Sequence, residues 1–305
     1  MQKFILRRLI IAIITLVVVS LIVFVMSRAA GDPRSLLLDD YSSREQWDQL
    51  GIDLGLDKPL YIQYSMFIKD ALQLDFGDSV VDGRPVTEVI WERLPNTLQL
   101  GAASFIFSLV IGTPLGVLSA VKRDSTWDLI GKVLALLGQS MPPFWLGIML
   151  MFFFAVKLDW LPPSGKFDWN SILLPAITLG WFFVAANMRL VRSAMLDSLD
   201  SEYIKLARAK GVSPAMVIWK HALKNALIPP LTFMGVTLGA LVTGSIIAET
   251  VFAWPGLGLL AFTALRQSDY ALLQGIVIIS TLIYLITSFA VDILYAYIDP
   301  RIRFA

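Results

Sequence analysis

Six uninterrupted apolar stretches dominate the chain, over residues 9–26, 97–121, 133–156, 172–188, 231–248 and 272–291, and none of them contains Asp, Glu, Lys or Arg. The hydrocarbon core of a bilayer needs about 20 apolar residues per helix, with a range of roughly 17–25, so each stretch predicts one membrane-spanning helix. The fourth is the shortest. A β-barrel would instead show segments of about 10 residues alternating apolar and polar, and a globular core would interrupt its apolar runs with polar faces. Neither pattern is present.

The first stretch follows Lys3, Arg7 and Arg8 and precedes Ser27-Arg28-Ala29, an arrangement shared with secretory signal peptides. Its apolar run exceeds the roughly 7–15 residues of a signal peptide's core, so it is expected to remain as an anchor. Lys and Arg in the short flanks set orientation, because positive charge is retained in the cytoplasm. An inside N-terminus places Lys3, Arg7, Arg8, Lys122, Arg123, Lys132, Arg189, Arg192, Lys205, Arg208, Lys210, Lys220, Lys224, Arg301 and Arg303 in the cytoplasm. The short outer loops keep only Lys157, Lys166 and Arg266. The expectation is an all-α integral membrane protein with six transmembrane helices and both termini inside.

Composition narrows the chemistry further. Of 305 residues, 56% are hydrophobic and 16% charged, and the mean hydropathy is +0.69, whereas soluble domains are about a quarter charged. The chain has no cysteine, which excludes disulfides and thiolate metal sites, and its single His221 cannot build a histidine cage. A net charge of +1 argues against a nucleic-acid partner. No nucleophile, metal cluster or acid/base pair stands at workable spacing, so no catalytic residue is expected. Glu249 and Asp292 flank later spans and read as end-of-helix or pore-mouth groups.

Two segments outside the apolar runs are long enough to carry work. The outer one, 28–96, contains Tyr61, Tyr64, Phe67, Ile68 and Leu72 at helical spacing behind Pro59, which predicts a small helical cap. The inner one, 189–230, is more informative. Asp200 and Ser201 can cap a helix from Glu202 to Lys210, and Gly211 supplies a left-handed stop. Ser213 and Pro214 then open a second helix, which Pro229-Pro230 is expected to end. Such a helix–turn–helix also occurs in DNA-binding units, but tethering at both ends to membrane spans and the small basic surface speak against that use. The remaining alternative to a partner-binding surface is an inert connector whose charges only enforce topology. Ala207, Ala209 and Gly211 favour a partner, because small residues leave room for close packing in a groove.

The stretch EYIKLARAKGVSPAMVIWKHALKNALIPPLT at 202–232 resembles the cytoplasmic coupling loop of ABC-importer permeases, in the variant of the oligopeptide, dipeptide, nickel and glutathione branch. GLDKPLYIQY at 55–64, DFGDS at 75–79, RLPNTLQL at 93–100, Pro142-Pro143-Phe144, LPPSG at 161–165, ETVFAWPGLG at 249–258 and DPRIR at 299–303 stand in the order of similar motifs in that family. The departures are a double proline at 229–230 and Leu206 where many relatives have Thr.

The resemblance implies a type I ABC-importer transmembrane fold. It further implies a second homologous permease, two ATP-binding subunits docked on the coupling loops, and a periplasmic solute-binding protein. Glu202, Tyr203, Ala207, Arg208, Ala209, Lys210, Gly211, His221, Asn225 and Pro229 would form the coupling loop. The chain has no G-x-x-x-x-G-K-[ST] phosphate loop, so it needs no cofactor of its own, and ATP and Mg would sit on partner subunits. The chain divides into an N-terminal tail with the first span (1–27), an outer cap (28–96), a core of five spans (97–298) and a cytoplasmic tail (299–305).

Polar side chains inside a bilayer face a partner or a water-filled path, which makes Gln99, Gln139, Ser140, Asn187, Thr237, Thr243 and Gln274 the candidate translocation residues. Interhelical hydrogen bonding is the alternative role for each. Pro142-Pro143 frees backbone carbonyls within a span, as happens where transporter helices line a cavity, and this singles out Gln139 and Ser140. Gly112-x-x-x-Gly116 reads as a helix-packing contact. Cargo stays open among peptides, nickel chelates, glutathione, opines and sugars. The reading from another class is a membrane-anchored partner-binding or signalling protein that moves no solute.

Overall fold

The computed structural model describes residues 2–32, 34, 38 and 43–298, with side chains placed for residues 5–293 among these. The expected terminal tail, with Arg301 and Arg303, lies outside the described residues, as does part of the 28–96 segment. Among the described residues every regular element is helical apart from one isolated bridge between Asp78 and Pro85. Among the described residues four uninterrupted helices are long and apolar enough to cross a membrane, and the number reaches six if each of two bent pairs is taken as one span.

The first helix, α1, runs Gln2–Ala30. The segment expected on the outer side forms α2 (Arg44–Asp53), closed at its start by a Ser43–Gln46 capping box, and α3 (Leu60–Leu72) behind Pro59. Helix α3 leans on α1: Phe24 lies 5.4 Å from the Tyr64 ring and 5.6 Å from Phe67, and Ser20 Oγ and the Tyr64 hydroxyl share a 2.9 Å hydrogen bond.

Helix α4 (Val86–Val121) begins eleven residues before the apolar run at 97. The charges that ended the run belong to the helix, because Arg84 pairs with Glu88 and Glu92 on its exposed side at 3.5 and 2.9 Å. The same correction applies to the fourth run, 172–188. It is the core of α7 (Leu173–Leu199), a 27-residue helix that continues through Arg189 and Arg192.

The third run is not one straight span. Helix α5 (Thr126–Ser140) and the following α6 (Pro143–Lys157) meet at 109°. Pro143 lacks the N–H that would continue the ladder, and Met141, just before Pro142, takes the extended φ −80°, ψ 127° that a following proline imposes. The fifth run, 231–248, is also divided. Helix α10 (Ile228–Val242) stops before Gly244, whose φ is +86°, and α11 (Ile246–Val251) restarts beyond it. Two final helices follow, α12 (Leu257–Arg266) and α13 (Tyr270–Ile298).

The centre of the molecule is the contact between α4 and α7. A Cβ on Gly112 would meet the Val184 carbonyl at 2.9 Å, and one on Gly116 would meet the Met188 carbonyl at 2.7 Å. The two backbones therefore touch through the glycines, as the Gly112-x-x-x-Gly116 spacing predicts. At the inner end Asp128 of α5, 0% exposed, accepts from Arg192 of α7 at 2.7 and 3.0 Å, from Lys132 at 2.8 Å and from Ser119 of α4 at 2.5 Å. Three helices are thus tied by one carboxylate.

Asp128→Leu should destabilise the fold by about 3–5 kcal/mol, because it strands the Arg192 guanidinium beside apolar neighbours. Lys132→Met, at a half-exposed partner, should cost under about 1 kcal/mol. Thermal unfolding in detergent of the two variants beside wild type measures the difference, and equal midpoints would contradict this role for Asp128.

Candidate functional site

The inner segment between α7 and α10 folds as two short helices. Helix α8 covers Glu202–Ala209, with Lys210 as its C-cap, and α9 covers Pro214–Ala226, with a π-helical stretch at Val217–Ala222. Ser201 and Ser213 occupy the N-cap positions in extended backbone, yet neither side chain caps; the Ser201 hydroxyl donates back to the Ser198 carbonyl. Gly211 turns the chain at φ +77°, with nothing within 4 Å of where a Cβ would stand. Its requirement for glycine is purely one of backbone conformation.

Pro229 and Pro230 do not end α9. The chain turns at Leu227, and the prolines fill the first positions of α10, where their fixed φ suits a starting helix and no N–H is needed. The two helices meet there at 53°.

Ile204, 0% exposed, anchors α8 in a cluster with Val117 and Ala120 of α4, Val191 and Met195 of α7, and Val217, Ala222 and Ala226 of α9. The segment is therefore seated on the inner ends of the two central helices. Tyr203 ties the two short helices together: its hydroxyl bonds Ser198 Oγ at 2.6 Å and accepts from Asn225 Nδ2 at 3.0 Å. Burial opposes ionisation of this phenol, but the bonds from Ser198, Asn225 and Ser201 outweigh it and leave its pKa below the ordinary value.

Of the ten residues expected in this surface, Tyr203 and Asn225 are brought into direct contact, and Asn225 also reaches the His221 carbonyl at 3.4 Å. Glu202, Arg208, Ala209, Lys210, Gly211 and Pro229 are exposed, while Ala207 and His221 are half-buried. Glu202 is occupied by Lys205 at 2.8 Å. Sequence reasoning did not single out three large apolar side chains that the segment leaves exposed. Leu206 is 56% exposed, Trp219 59% and Met216 47%. The signal in the sequence was large apolar residues, Leu206 and Trp219, set among the charged residues of short helices.

Among the described residues no two of the seven candidate path residues share a hydrogen bond. Asn187 is buried and donates to the Ser108 carbonyl and Thr113 Oγ1 of α4, Thr237 and Thr243 bond back to their own helix, and Gln274 bonds Ser27 of α1. Each of these bonds goes outside the group. Gln99 and Ser140 are exposed and Gln139 is half-buried.

A second buried carboxylate organises the outer end. Glu249, 0% exposed, accepts from the Gly258 and Leu259 amides at 2.6 and 3.1 Å and from Thr97 at 3.1 Å. It thus sits on the N-terminus of α12, where free N–H groups favour an anion. Around it the Trp254 indole donates to the Asn96 carbonyl, Asn96 donates to Pro255, and Lys166 donates to Asn96 at 2.7 Å. Among the described residues no three His, Cys, Asp or Glu side chains are grouped to hold a metal.

Comparison with known proteins agrees with this geometry. The family described as "Binding-protein-dependent transport system inner membrane component" matches residues 112–304, and its N-terminal companion matches 1–101. The chain belongs to this family. Over 100% of both chains the permease is 40% identical to the glutathione transport system permease GsiC of Salmonella choleraesuis. It is 38% identical to the dipeptide transport system permease DppB of Alkalihalophilus pseudofirmus, again with full coverage. Among solved structures, an inward-facing MetNI methionine ABC transporter shares the fold at TM-score 0.58 and 22% identity, over 69% of this chain and 96% of that one. An amino acid ABC transporter gives TM-score 0.51 at 16% identity, over 70% and 94%. The permease is thus an inner-membrane transport subunit of an ABC importer, and ATP hydrolysis belongs to a separate subunit.

Gly211→Val should strain the turn by about 1–3 kcal/mol, since the new side chain clashes with its own backbone alone. Tyr203→Phe should cost about 1 kcal/mol through the lost hydrogen bonds. Both variants should insert normally, and protease sensitivity of the 202–226 segment should rise in each; unchanged cleavage would contradict the assignment.

Proposed function

We propose that the permease forms half of the pathway of a short-peptide importer. A second homologous permease completes the pathway, two ATP-binding subunits holding ATP and Mg drive it, and a periplasmic solute-binding protein supplies it. The observation that carries this reading is the full-length identity of 38–40% to permeases named for dipeptide and glutathione, both short peptides.

The coupling surface supports the partner assignment. Leu206, Met216 and Trp219 expose apolar side chains next to the basic Arg208 and Lys210, a pattern suited to a soluble subunit that covers the apolar centre and meets a charged rim. The ten residues from Glu202 to Pro229 act as one rigid lever, because Ile204 and Tyr203 fix them to α4 and α7. A movement of the docked ATPase is then passed to the central helix pair. Asn187, Thr237, Thr243 and Gln274 serve mainly as packing groups, which leaves Gln99, Gln139 and Ser140 for the pathway wall. The division into a first span at 1–27, an outer cap at 28–96, a core at 97–298 and an inner tail at 299–305 fits this arrangement, with both termini and the coupling segment in the cytoplasm.

Reporter fusions after Arg123 or Ser198 should be cytoplasmic, and fusions after Asp78 or Gly165 should lie outside; an outside signal from Ser198 would reverse the orientation. Trp219→Glu should weaken ATPase docking roughly thirtyfold, the effect of losing about 2 kcal/mol at an interface hot spot. Copurified ATPase and uptake of labelled dipeptide in cells carrying the whole system measure both consequences. Full uptake by the variant would remove Trp219 from the interface, and failure of the wild type to import dipeptide or glutathione would remove peptides as cargo.

A further inference from the structure

A groove of about 390 Å3 opens between α5 and α7. Lys132, Ala135 and Leu136 of α5 line one side, and Met188, Arg189 and Arg192 of α7 line the other. Charge and apolar surface are sorted along it. Lys132 and Arg192 stand at the Asp128 end, while Ala135 and Leu136 lie one turn further along α5 and Met188 one turn back along α7.

The cations converge. Lys132 Nζ and Arg192 Nη2 bond the same carboxylate oxygen, Asp128 Oδ2, at 2.8 and 3.0 Å. Arg189 precedes Arg192 by three residues and so shares its side of α7. Asp128 itself is fully buried behind them. Their donors are not used up. Arg192 commits Nε and Nη2 to Ser119 and Asp128, which leaves Nη1. The half-exposed Lys132 has three ammonium protons, of which Asp128 takes one. Arg189 is exposed and enters no ion pair among the described residues. One buried carboxylate thus meets three cations, and two positive charges remain at the open groove.

The surface around the groove is apolar. Leu129, Val133 and Leu136 are exposed at i, i+4 and i+7 along α5, the stripe with which a membrane helix meets hydrocarbon. Positive charge left uncompensated at the edge of that stripe is costly, so the molecule that offsets it has to be anionic at one end and apolar at the other. We propose that the groove holds an anionic phospholipid. Its phosphate diester accepts from Arg189, Lys132 and Arg192 Nη1, and one acyl chain lies along Ala135, Leu136 and Met188. A free phosphate satisfies the cations but leaves the apolar walls bare, and a zwitterionic lipid brings a further cation to a site that is already positive. In the orientation proposed above, the basic end faces the cytoplasmic leaflet, whose anionic lipids are drawn to basic pockets between helices. Only the choice of leaflet rests on that orientation. The headgroup sits on the Asp128 knot, so lipid charge bears directly on the contact that ties α4, α5 and α7.

The test uses the permease assembled with its partner permease and ATPase subunits, stripped of lipid in a neutral detergent. Dioctanoyl phosphatidylglycerol, dioctanoyl phosphatidylcholine and inorganic phosphate are titrated separately, and native mass spectrometry counts the molecules retained. Phosphatidylglycerol should bind roughly tenfold or more tightly than phosphatidylcholine, the scale of one charge-assisted bond, and inorganic phosphate at the same concentration should not displace it. Arg189→Gln together with Lys132→Gln, neither of which removes the bonds between Asp128 and Arg192, should weaken phosphatidylglycerol roughly tenfold or more by the same measure. Arg189→Lys, which keeps the charge, should retain most of the affinity. Thermal unfolding in parallel should show phosphatidylglycerol raising the midpoint of wild type more than that of the double variant. Equal binding of the two lipids, or phosphatidylglycerol affinity unchanged in the double variant, overturns the site. Displacement by inorganic phosphate makes it a free-anion site and overturns the lipid. Absence of retained lipid in the assembled complex, the outcome if the partner permease covers the groove, overturns it as well.

Discussion

Backbone contact between α4 and α7 is the constraint on which the other parts hang. In lipid there is no hydrophobic gain from bringing two apolar helices together, so close approach has to come from shape. Gly112 and Gly116 supply it by letting the helices touch at the Val184 and Met188 carbonyls. The pair then works as a rigid axle with something mounted on each end. At one end, Val117, Ala120, Val191 and Met195 seat the 202–226 segment, and Ser119 and Arg192 hold Asp128. At the other end, Thr97 of α4 joins Glu249 to the start of α12. A displacement of the inner segment reaches the outer knot through two helices that cannot slide past each other without breaking glycine contacts.

Charges near the spans show where the sequence was readable and where it was not. Apolar runs located the long helices, the Gly211 turn followed from its position after a helix, and the glycine pair announced its packing role. The ends of helices were less legible, because a rule that stops a span at the first charge assumes the charge faces water. Glu88 and Glu92 lengthen α4 by pairing with Arg84, and Arg192 lengthens α7 by pairing with Asp128 sixty-four residues away. No local pattern encodes such a partner. The prolines at 142–143 signalled a break but not its 109° angle, which depends on what α6 packs against.

The proposed coupling surface was read from its small residues and its resemblance, and the exposed apolar side chains beside them drew no notice. Leu206, Met216 and Trp219 lie among basic residues that drew attention to topology and to charge. Only the placement of Ile204 in the core, one face away, identifies which apolar side chains are left outside. For the candidate path, polarity alone does not tell which atoms are occupied: the Asn187 amide nitrogen is held by Ser108 and Thr113, while its Oδ1 is buried without a partner.

The knot at Glu249 also fixes an order of events during synthesis. Thr97 enters the membrane 152 residues before its carboxylate partner exists, and the Gly258 and Leu259 amides follow Glu249 by nine and ten residues. Helix α4 must therefore settle with its outer end unfinished, and the nascent chain stays open on that side until the last helices arrive. The C-terminal fifth acts as a clasp that closes the subunit only when these last helices have been made, so a product truncated before Glu249 would display an unclosed face to the proteases that survey the membrane.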